Sequence, residues 1–262
     1  MPAFTTYDGS ELTVTVLGTR AEPVVVLPGG PLQPSRYLGN LGGLDAHHEL
    51  IVLDLPQRRV DQIVPDVEEL REHLGRETID VVAHSAGANL AVLYAVAHPE
   101  RIAKLVLITP SRRAVGGLPT PDQQAAVYAQ HAGEPWYAAA VAEWHTGGAA
   151  ARALTYGRWD AAAQAHAAAQ EEEVTPNAQA IYYADGAALD PEATRAGLAK
   201  LSADVLVLLG GADPIMPAQL GVELAAMFPS AEVVVQPGIG HYPWLDDPAW
   251  FVDTVSGFLT GR

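Results

Sequence analysis

Residues 80–90, DVVAHSAGANL, constrain the fold of this chain more than any other stretch. Val81 and Val82 are β-branched and belong to a short apolar run, which predicts a buried strand. Residues 88–97 are apolar on nearly every face and predict a buried helix. Ser85 therefore lies in a turn that joins a strand directly to a helix.

The residues around Ser85 are small, and their spacing follows the pattern G-x-S-x-G with Ala83 in the first glycine position. A turn this tight leaves no room for bulk at Ala83 or Gly87, and it forces the Ser85 hydroxyl outward. The N–H group of Ala86, at the helix N-terminus, then faces any oxyanion that forms on a substrate carbonyl. The pattern predicts a nucleophilic serine, and the alternative is a strand-to-helix turn without chemistry.

Length and composition fit one large α/β domain. The chain has 262 residues, of which 49% are hydrophobic, so it can bury a full core and is not disordered. It contains no cysteine, which excludes thiolate chemistry and leaves an oxygen or an amine as the nucleophile. No apolar run is long enough to cross a bilayer and residues 1–5 lack the features of a signal peptide, so we expect a cytoplasmic protein.

The charge balance bears on partners. The chain has 15 Lys and Arg against 31 Asp and Glu, a formal net charge of −16. Such a surface repels phosphate backbones, so we expect no nucleic-acid partner, and it favours neutral or cationic substrates over polyanions. We expect a small-molecule ester, an amide or a short peptide as substrate, neither cofactor nor metal, no membrane partner, and a monomer or homodimer.

Strands and helices alternate along most of the chain, which predicts a mostly parallel, doubly wound α/β sheet with right-handed crossovers. A hairpin is predicted over residues 4–18 with its turn at residues 8–10, and a helix over residues 64–74 with Pro65 at its first position. Asp247 is predicted to cap the closing helix. Further strands are predicted at residues 24–27, 50–55, 104–109, 205–209 and 232–235.

Residues 111–202 differ from this pattern. The segment is rich in alanine, contains scattered Trp and Tyr and has no β-branched run, which predicts several short helices. Glycine and proline interrupt it at residues 133–135, 147–148 and 175–177. We therefore predict a core domain from residues 1–110 and 203–262, with residues 111–202 inserted as a helical cap.

Ser85, Asp213 and His241 each follow a predicted strand, and functional groups in a parallel sheet gather beyond the carboxyl ends of its strands. A serine hydroxyl becomes a nucleophile when an imidazole removes its proton, and a carboxylate must hold that imidazole in the right tautomer. Taken alone, Asp213 could be a turn aspartate and His241 a hydrogen-bonded loop histidine. Together they predict a catalytic triad. The N–H of Gly30, which follows the strand at 24–27, is the predicted second oxyanion donor.

Other polar residues near strand ends have simpler interpretations. His84 must point away from Ser85, which indicates a packing or rim residue rather than the base. Asp54 ends a strand and is interpreted as structural. His47 and His48 lie in a loop without the spacing of metal ligands.

Six stretches carry a resemblance to a known family: VLPGGP at 26–31, IVLD at 51–54, AHSAG at 83–87, PERI at 99–102, GADP at 211–214 and GHYP at 240–243. On these stretches the chain resembles α/β-hydrolases over nearly its whole length, and it is most similar to their proline iminopeptidase-like branch. It departs from that branch at Pro28, where members carry histidine, and at residues 55–60, which replace the motif D-Q-R-G-x-G-x-S. The resemblance implies an α/β-hydrolase fold and a triad of Ser85, Asp213 and His241.

The resemblance also implies a substrate role for the cap. Cap glutamates of iminopeptidases hold the free amino group of the substrate, a role that Glu172 in the run 171–173 could take; the alternative is a solvated helix face. We further expect cap aromatic residues to line an apolar pocket over Ser85, unless they only hold the cap helices together. These aromatic residues are Trp136, Trp144, Tyr156 and Trp159.

The leading functional hypothesis is a cofactor-free serine hydrolase that cleaves a small ester or amide through an acyl-enzyme. An N-terminal exopeptidase and a carboxylesterase or lactonase remain open within that class. A lyase on the same triad and a non-catalytic ligand-binding protein of the same fold are the alternatives outside it. Haloalkane dehalogenase and epoxide hydrolase chemistry is set aside because it uses Asp at the position of Ser85.

Overall fold

A computed structural model describes residues 3–7, 9–20, 22–184 and 189–262. These residues form one eight-stranded sheet in the order β1-β2-β4-β3-β5-β6-β7-β8. β1 and β2 pair antiparallel as the predicted hairpin, and Asp8 of its predicted turn lies outside the described residues. β2 also pairs antiparallel with β4. The other neighbouring strands pair in parallel. The strands are β1 (Ala3–Thr5), β2 (Glu11–Leu17), β3 (Pro23–Leu27), β4 (Glu49–Leu53), β5 (Ile79–His84), β6 (Ile102–Ile108), β7 (Asp204–Gly210) and β8 (Ala231–Gln236).

Both faces of the parallel strands β3 to β7 are largely buried, as their continuous apolar sequences predict, whereas the edge strand β8 is partly exposed. In β5, Val81 and Ala83 belong to one core cluster and Val82 to the other, because successive side chains of a strand point to opposite faces. The predicted mostly parallel, doubly wound sheet is therefore confirmed. The helices are α1 (Val60–His73), α2 (Gly87–Ala97), α3 (Pro121–Tyr128), α4 (Tyr137–Glu143), α5 (Ala161–Glu172), α6 (Ala178–Tyr182), α7 (Pro191–Leu198), α8 (Ala218–Ala225), α9 (Pro243–Asp246) and α10 (Pro248–Thr260).

The predicted helix over residues 64–74 is present as α1, but it begins four residues earlier, at Val60. Pro65 lies in its interior, so the predicted start of the helix is wrong. The side chain of Gln62 accepts from the N–H of Arg59 at 3.3 Å and stabilises the earlier first turn. Pro65 then lacks the N–H that would bond one turn back, which weakens the helix at that point but does not end it. The prediction for the closing helix is confirmed, since Asp247 accepts from the N–H of Trp250 at 3.1 Å.

The segment between β6 and β7 carries short helices α3 to α7, and its interruptions fall where glycine and proline predict them. Its side chains bond the loops that follow the strands: His166 bonds the carbonyl oxygen of Tyr37 at 2.8 Å, and Thr175 donates to that of Leu32 at 2.7 Å. Helix α7 differs, because it packs against α2 beside the sheet. Within the described residues, no helix has the length and apolar character needed to span a membrane.

Candidate active site

Ser85 lies in the turn between β5 and α2 with a backbone φ of 51°, a left-handed conformation that residues other than glycine rarely adopt. Its N–H donates to the carbonyl oxygen of Ile108 at 3.0 Å, which ties the turn to the neighbouring strand. A Cβ added to Gly87 would overlap the carbonyl oxygens of Leu27 and Pro28. The small residue predicted at this position is therefore required by the close approach of β3.

Ser85, His241 and Asp213 are brought together although they are far apart in sequence. The Oγ of Ser85 lies 2.9 Å from Nε2 of His241, and Nδ1 of His241 lies 2.7 Å from Oδ2 of Asp213. Asp213 is fully buried, and its other oxygen accepts from the N–H of Ile215 at 2.8 Å. This arrangement can remove the proton of the serine hydroxyl while the carboxylate holds the imidazole in place.

The main chain of His241 is fixed at both its N–H and its carbonyl. Its N–H donates to the carbonyl oxygen of Thr155 at 2.7 Å, and its carbonyl oxygen accepts from Oγ1 of Thr109 at 3.1 Å. The same carbonyl oxygen lies 3.0 Å from Nε2 of His84. The position of the imidazole therefore depends on β5, on the end of β6 and on the inserted segment.

His84 is buried and joins His241 to the loop after β3. Because a carbonyl oxygen only accepts, Nε2 of His84 carries the proton, and Nδ1 is left to accept from the hydroxyl of Tyr37 at 2.7 Å. That hydroxyl in turn accepts from the N–H of Gly29 at 2.7 Å. Burial holds the pKa of His84 well below its ordinary value and raises the pKa of Tyr37, so both groups stay neutral near pH 7. His84 is a packing residue, as the sequence indicates.

The N–H groups of Gly30 and Ala86 have no acceptor within the described part of the chain. Gly30 has a φ of +122°, and a Cβ there would lie 2.5 Å from the Cβ of Gln33, so the loop conformation requires glycine. Both residues line the same cavity as Ser85. Two unpaired donors beside the serine hydroxyl can bind an oxyanion.

A cavity of about 420 Å³ opens beside Ser85 and His241. Its apolar lining includes Leu118, Pro119, Ile215 and Met216. Besides Ser85 and His241, its polar lining residues are Gln33, Tyr37, His84, Ser111, Arg113, Gln124, Gln179, Tyr183 and Tyr242. The described residues that line this cavity include neither Asp nor Glu, and in the described ranges of the chain no group of three or more His, Asp or Glu could hold a metal ion.

The structure does not place the predicted aromatic residues in this cavity. Trp136 and Trp144 pack with Tyr128 in a separate cluster of the inserted segment, and Trp159 contacts both that cluster and the sheet core. Tyr156 is buried with its ring centroid 4.8 Å from that of Tyr242, so it lies one layer behind the lining. Trp136 and Trp144 thus contact other parts of the inserted segment, Tyr156 and Trp159 also contact the sheet core, and none of the four lines the cavity.

Glu172 is also outside the cavity. It is exposed at the end of α5, while its neighbours form surface ion pairs: Glu171 with Arg152 at 2.9 Å and Glu173 with Arg36 at 3.2 Å. The run of glutamates is a solvated helix end, and the structure gives Glu172 no contact with the residues around Ser85.

Several residues at the site were not found from the sequence. Gln170 bonds Gln33, Tyr156 and Tyr242 at 2.9 to 3.2 Å and so links the inserted segment to the loops that follow β3 and β8. No local pattern distinguishes it in an alanine-rich helix. Arg113, by contrast, follows the carboxyl end of β6, and that position was a usable signal.

These features agree with the comparison to known families. The chain belongs to the alpha/beta hydrolase fold family, whose model matches residues 22–248. The (lyso)-N-acylphosphatidylethanolamine lipase of Mus musculus is 29% identical over 114 residues, which are 37% of this chain and 33% of that protein. The chain thus spans about a third of the length of this curated relative.

Solved structures resemble the whole chain. The esterase RhEst1 from Rhodococcus sp. ECU1013 superposes with a TM-score of 0.75 at 23% identity, over 99% of this chain and 98% of that one. An enzyme described as degrading N-acyl homoserine lactones superposes with a TM-score of 0.71 at 19% identity, over 98% of this chain and 100% of that one. At these identities the likeness establishes the fold alone.

Proposed function

We propose that this protein is a serine hydrolase that cleaves small esters or lactones through an acyl-enzyme. The observation that carries the proposal is the continuous hydrogen-bonded chain from Ser85 Oγ through His241 to the buried carboxylate of Asp213, at 2.9 and 2.7 Å. Ser85 and His241 line a cavity together with Gly30 and Ala86, whose N–H groups have no acceptor among the described residues. The esterase and the lactone-degrading enzyme that share the fold support this class of substrate.

The geometry of the site is compatible with each step of such a reaction. His241 takes the hydroxyl proton while Ser85 Oγ forms a bond to the substrate carbonyl carbon, and the N–H groups of Gly30 and Ala86 bind the oxyanion. The C–O bond to the alcohol then breaks, and His241 returns the proton to the leaving oxygen. A water molecule, deprotonated by His241, attacks the acyl-enzyme and releases the carboxylic acid, which restores Ser85. Asp213 stabilises the imidazolium of His241 both when the acyl-enzyme forms and when it is hydrolysed.

The hypothesis of an N-terminal exopeptidase has less support from the residues that line the cavity. A free ammonium group is bound by carboxylates, and the described lining of the cavity contains none. Glu172, the residue that the iminopeptidase resemblance would use, is exposed and outside the cavity. We therefore favour ester over aminoacyl substrates. The inserted segment, without α7, is proposed to act as the cap.

Labelling with a fluorophosphonate followed by a substrate panel tests the proposal. The folded wild type should be labelled at Ser85 and should hydrolyse aryl esters faster than aminoacyl naphthylamides. Ser85→Ala should fold normally, lose labelling and lose turnover by several orders of magnitude, and Asp213→Asn should bind but turn over slowly. An unlabelled wild type would favour the non-catalytic ligand-binding alternative, and near-normal turnover by Ser85→Ala would refute the mechanism.

A further inference from the structure

Arg113 differs from the other residues that line the cavity beside Ser85. It is the one Lys or Arg among the described lining residues, and none of those residues is an Asp or Glu. Its guanidinium remains charged at any physiological pH. The cavity therefore carries a fixed positive charge in a protein whose formal net charge is −16.

None of the described residues neutralises the guanidinium of Arg113. Across the described residues no carboxylate lies within ion-pair distance of it, whereas the preceding Arg112 pairs with Glu223 at 2.8 Å. Instead, its guanidinium carbon lies 4.4 Å from the ring centroid of Tyr183. Stacking on a ring occupies one face of the guanidinium and leaves the N–H donors at its edge available to an acceptor.

The surroundings of Arg113 fix its position. The buried side chain of Asn89 accepts from the N–H of Ala114 at 2.8 Å and donates to the hydroxyl of Tyr183 at 2.8 Å. One amide on α2 thus holds both the backbone next to Arg113 and the ring beneath its guanidinium. Arg195 donates to the carbonyl oxygen of Val115 and holds the same turn from the side of α7. This support preorganises a binding site, because little ordering remains to be done when a ligand arrives.

Arg113 is close to the reacting serine. The N–H of Ser111 donates to the carbonyl oxygen of Ser85 at 2.9 Å, and Ser111 also lines the cavity. Two residues of extended chain span at most about 7 Å, so Arg113 begins within that distance of Ser111. A guanidinium here can reach a second functional group of a molecule whose carbonyl lies at Ser85.

We propose that the substrate is an ester that also carries a carboxylate, and that Arg113 binds this carboxylate; the inference rests on the proposed hydrolase function. An arginine fork matches the two oxygens of a carboxylate, and Tyr183 supports it from below. Hydrolysis of such an ester adds one water and gives an alcohol and a carboxylic acid, and the additional carboxylate stays on the product that carried it. The negative net charge does not oppose this, since charges farther away than about 8 Å are screened at physiological ionic strength. The inference replaces the expectation of a neutral or cationic substrate.

Two pairs of esters of matched length test the assignment. Monophenyl adipate and phenyl hexanoate differ by a terminal carboxylate on the acyl side, and 3-acetoxybenzoate and phenyl acetate differ by one on the alcohol side. In at least one pair the wild type should show a higher kcat/KM for the charged member. Arg113→Gln should lower kcat/KM for that member about 10- to 100-fold and leave its neutral partner unchanged. Arg158→Gln, which removes an exposed arginine outside the cavity, is the matched control.

The outcomes separate this inference from the proposed function. Equal losses on charged and neutral esters in Arg113→Gln, or no preference for the charged member in either pair, would overturn the carboxylate assignment while leaving the hydrolase intact. If the wild type hydrolysed none of the four esters and was not labelled by the fluorophosphonate, the proposed hydrolase function itself would be refuted. Fluorophosphonate labelling of Arg113→Gln at the wild-type rate would show that its triad is undisturbed.

Discussion

His84 donates a hydrogen bond from Nε2 to the carbonyl oxygen of His241 at 3.0 Å, although the two residues are 157 positions apart in the chain. On its other side, His84 accepts from Tyr37, which holds the N–H of Gly29. One buried imidazole thus connects the proposed general base to the loop that presents the proposed oxyanion donor at Gly30. We assign His84 and Tyr37 a positioning role, because neither needs to exchange a proton.

Removing the Tyr37 hydroxyl should therefore slow the chemical step. In Tyr37→Phe the Gly29 N–H and His84 Nδ1 each lose their partner, and misplacement of the oxyanion donor should lower kcat on the order of 10-fold with little change in KM. Steady-state kinetics on a neutral aryl ester measure this. Tyr7→Phe, at a tyrosine that is 85% exposed and outside the cavity, should leave kcat and KM unchanged. A rise in KM at constant kcat would contradict the positioning role.

His84 should also make the fold sensitive to acid. Burial holds its pKa in the folded state well below the ordinary value of 6.5, so below pH 6.5 the unfolded chain binds a proton that the folded chain does not. The stability of the wild type should fall as pH drops below 6.5, by up to about 1.4 kcal/mol per pH unit from this group.

His84→Phe is the test variant, since its ring can occupy the space among Tyr37, Tyr242 and Trp244. His84→Phe should have a lower free energy of unfolding than the wild type at pH 8. Urea unfolding at a series of pH values should show that this difference in free energy becomes smaller toward pH 5. Burial lowers the pKa of His48, His131 and His166 as well, but both proteins retain these groups, so the difference isolates His84. A constant difference across this range would contradict the assignment.

Glu68 should stabilise the contact between α1 and α2 in the opposite pH sense. It accepts from Arg71 at 2.6 Å and from the hydroxyl of Tyr94 at 2.7 Å, and the hydrogen bond with Arg71 is the main cause of a pKa lowered to about 2. Its stabilisation is present above its ordinary pKa of 4.5 and is lost as pH falls toward 2.

Glu68→Gln should accordingly lower the free energy of unfolding at pH 7 by about 1–2 kcal/mol, with the difference shrinking below pH 4.5. Chemical denaturation at a series of pH values measures it. Glu77→Gln, at an exposed glutamate, is the control and should have little effect. A Glu68→Gln effect that persists unchanged at pH 3 would show that the carboxylate charge is not responsible.

Truncating the tryptophans of the inserted segment should affect stability more than specificity. Trp144→Ala and Trp159→Ala remove packing against the cluster around Tyr128, which should cost about 1–3 kcal/mol. Trp144 also donates from its indole N–H to Gln124, a cavity residue, at 3.5 Å. A change in the ratio of rates for small and bulky esters is therefore expected for Trp144→Ala and not for Trp159→Ala. If instead Trp159→Ala changed this ratio of rates and Trp144→Ala did not, Trp159 would be shown to contact the substrate.

Much of this site could be predicted because its signals are local. Ser85 was found from small residues two positions away on either side, and Asp213 and His241 from their places after apolar strands. The alternation of strands and helices then brought all three to the same sheet edge. The start of α1 was missed because Arg59 is not a residue type that marks a helix N-terminus, and Pro65 suggested a later one.

The sequence by itself determined the sheet, the strand-to-helix turn at Ser85 and the order of the three site residues, because each depends on neighbouring residues and on the period of a strand or helix. Tertiary structure alone decided which side chains line the cavity. The inserted helices are rich in alanine, so their faces differ little in hydrophobicity and the sequence does not say which face turns toward Ser85. Packing placed the ring of Trp136 against His131 and that of Trp144 against Tyr128, with centroids 5.2 and 5.8 Å apart. It brought Arg113 and Gln124 to the cavity instead.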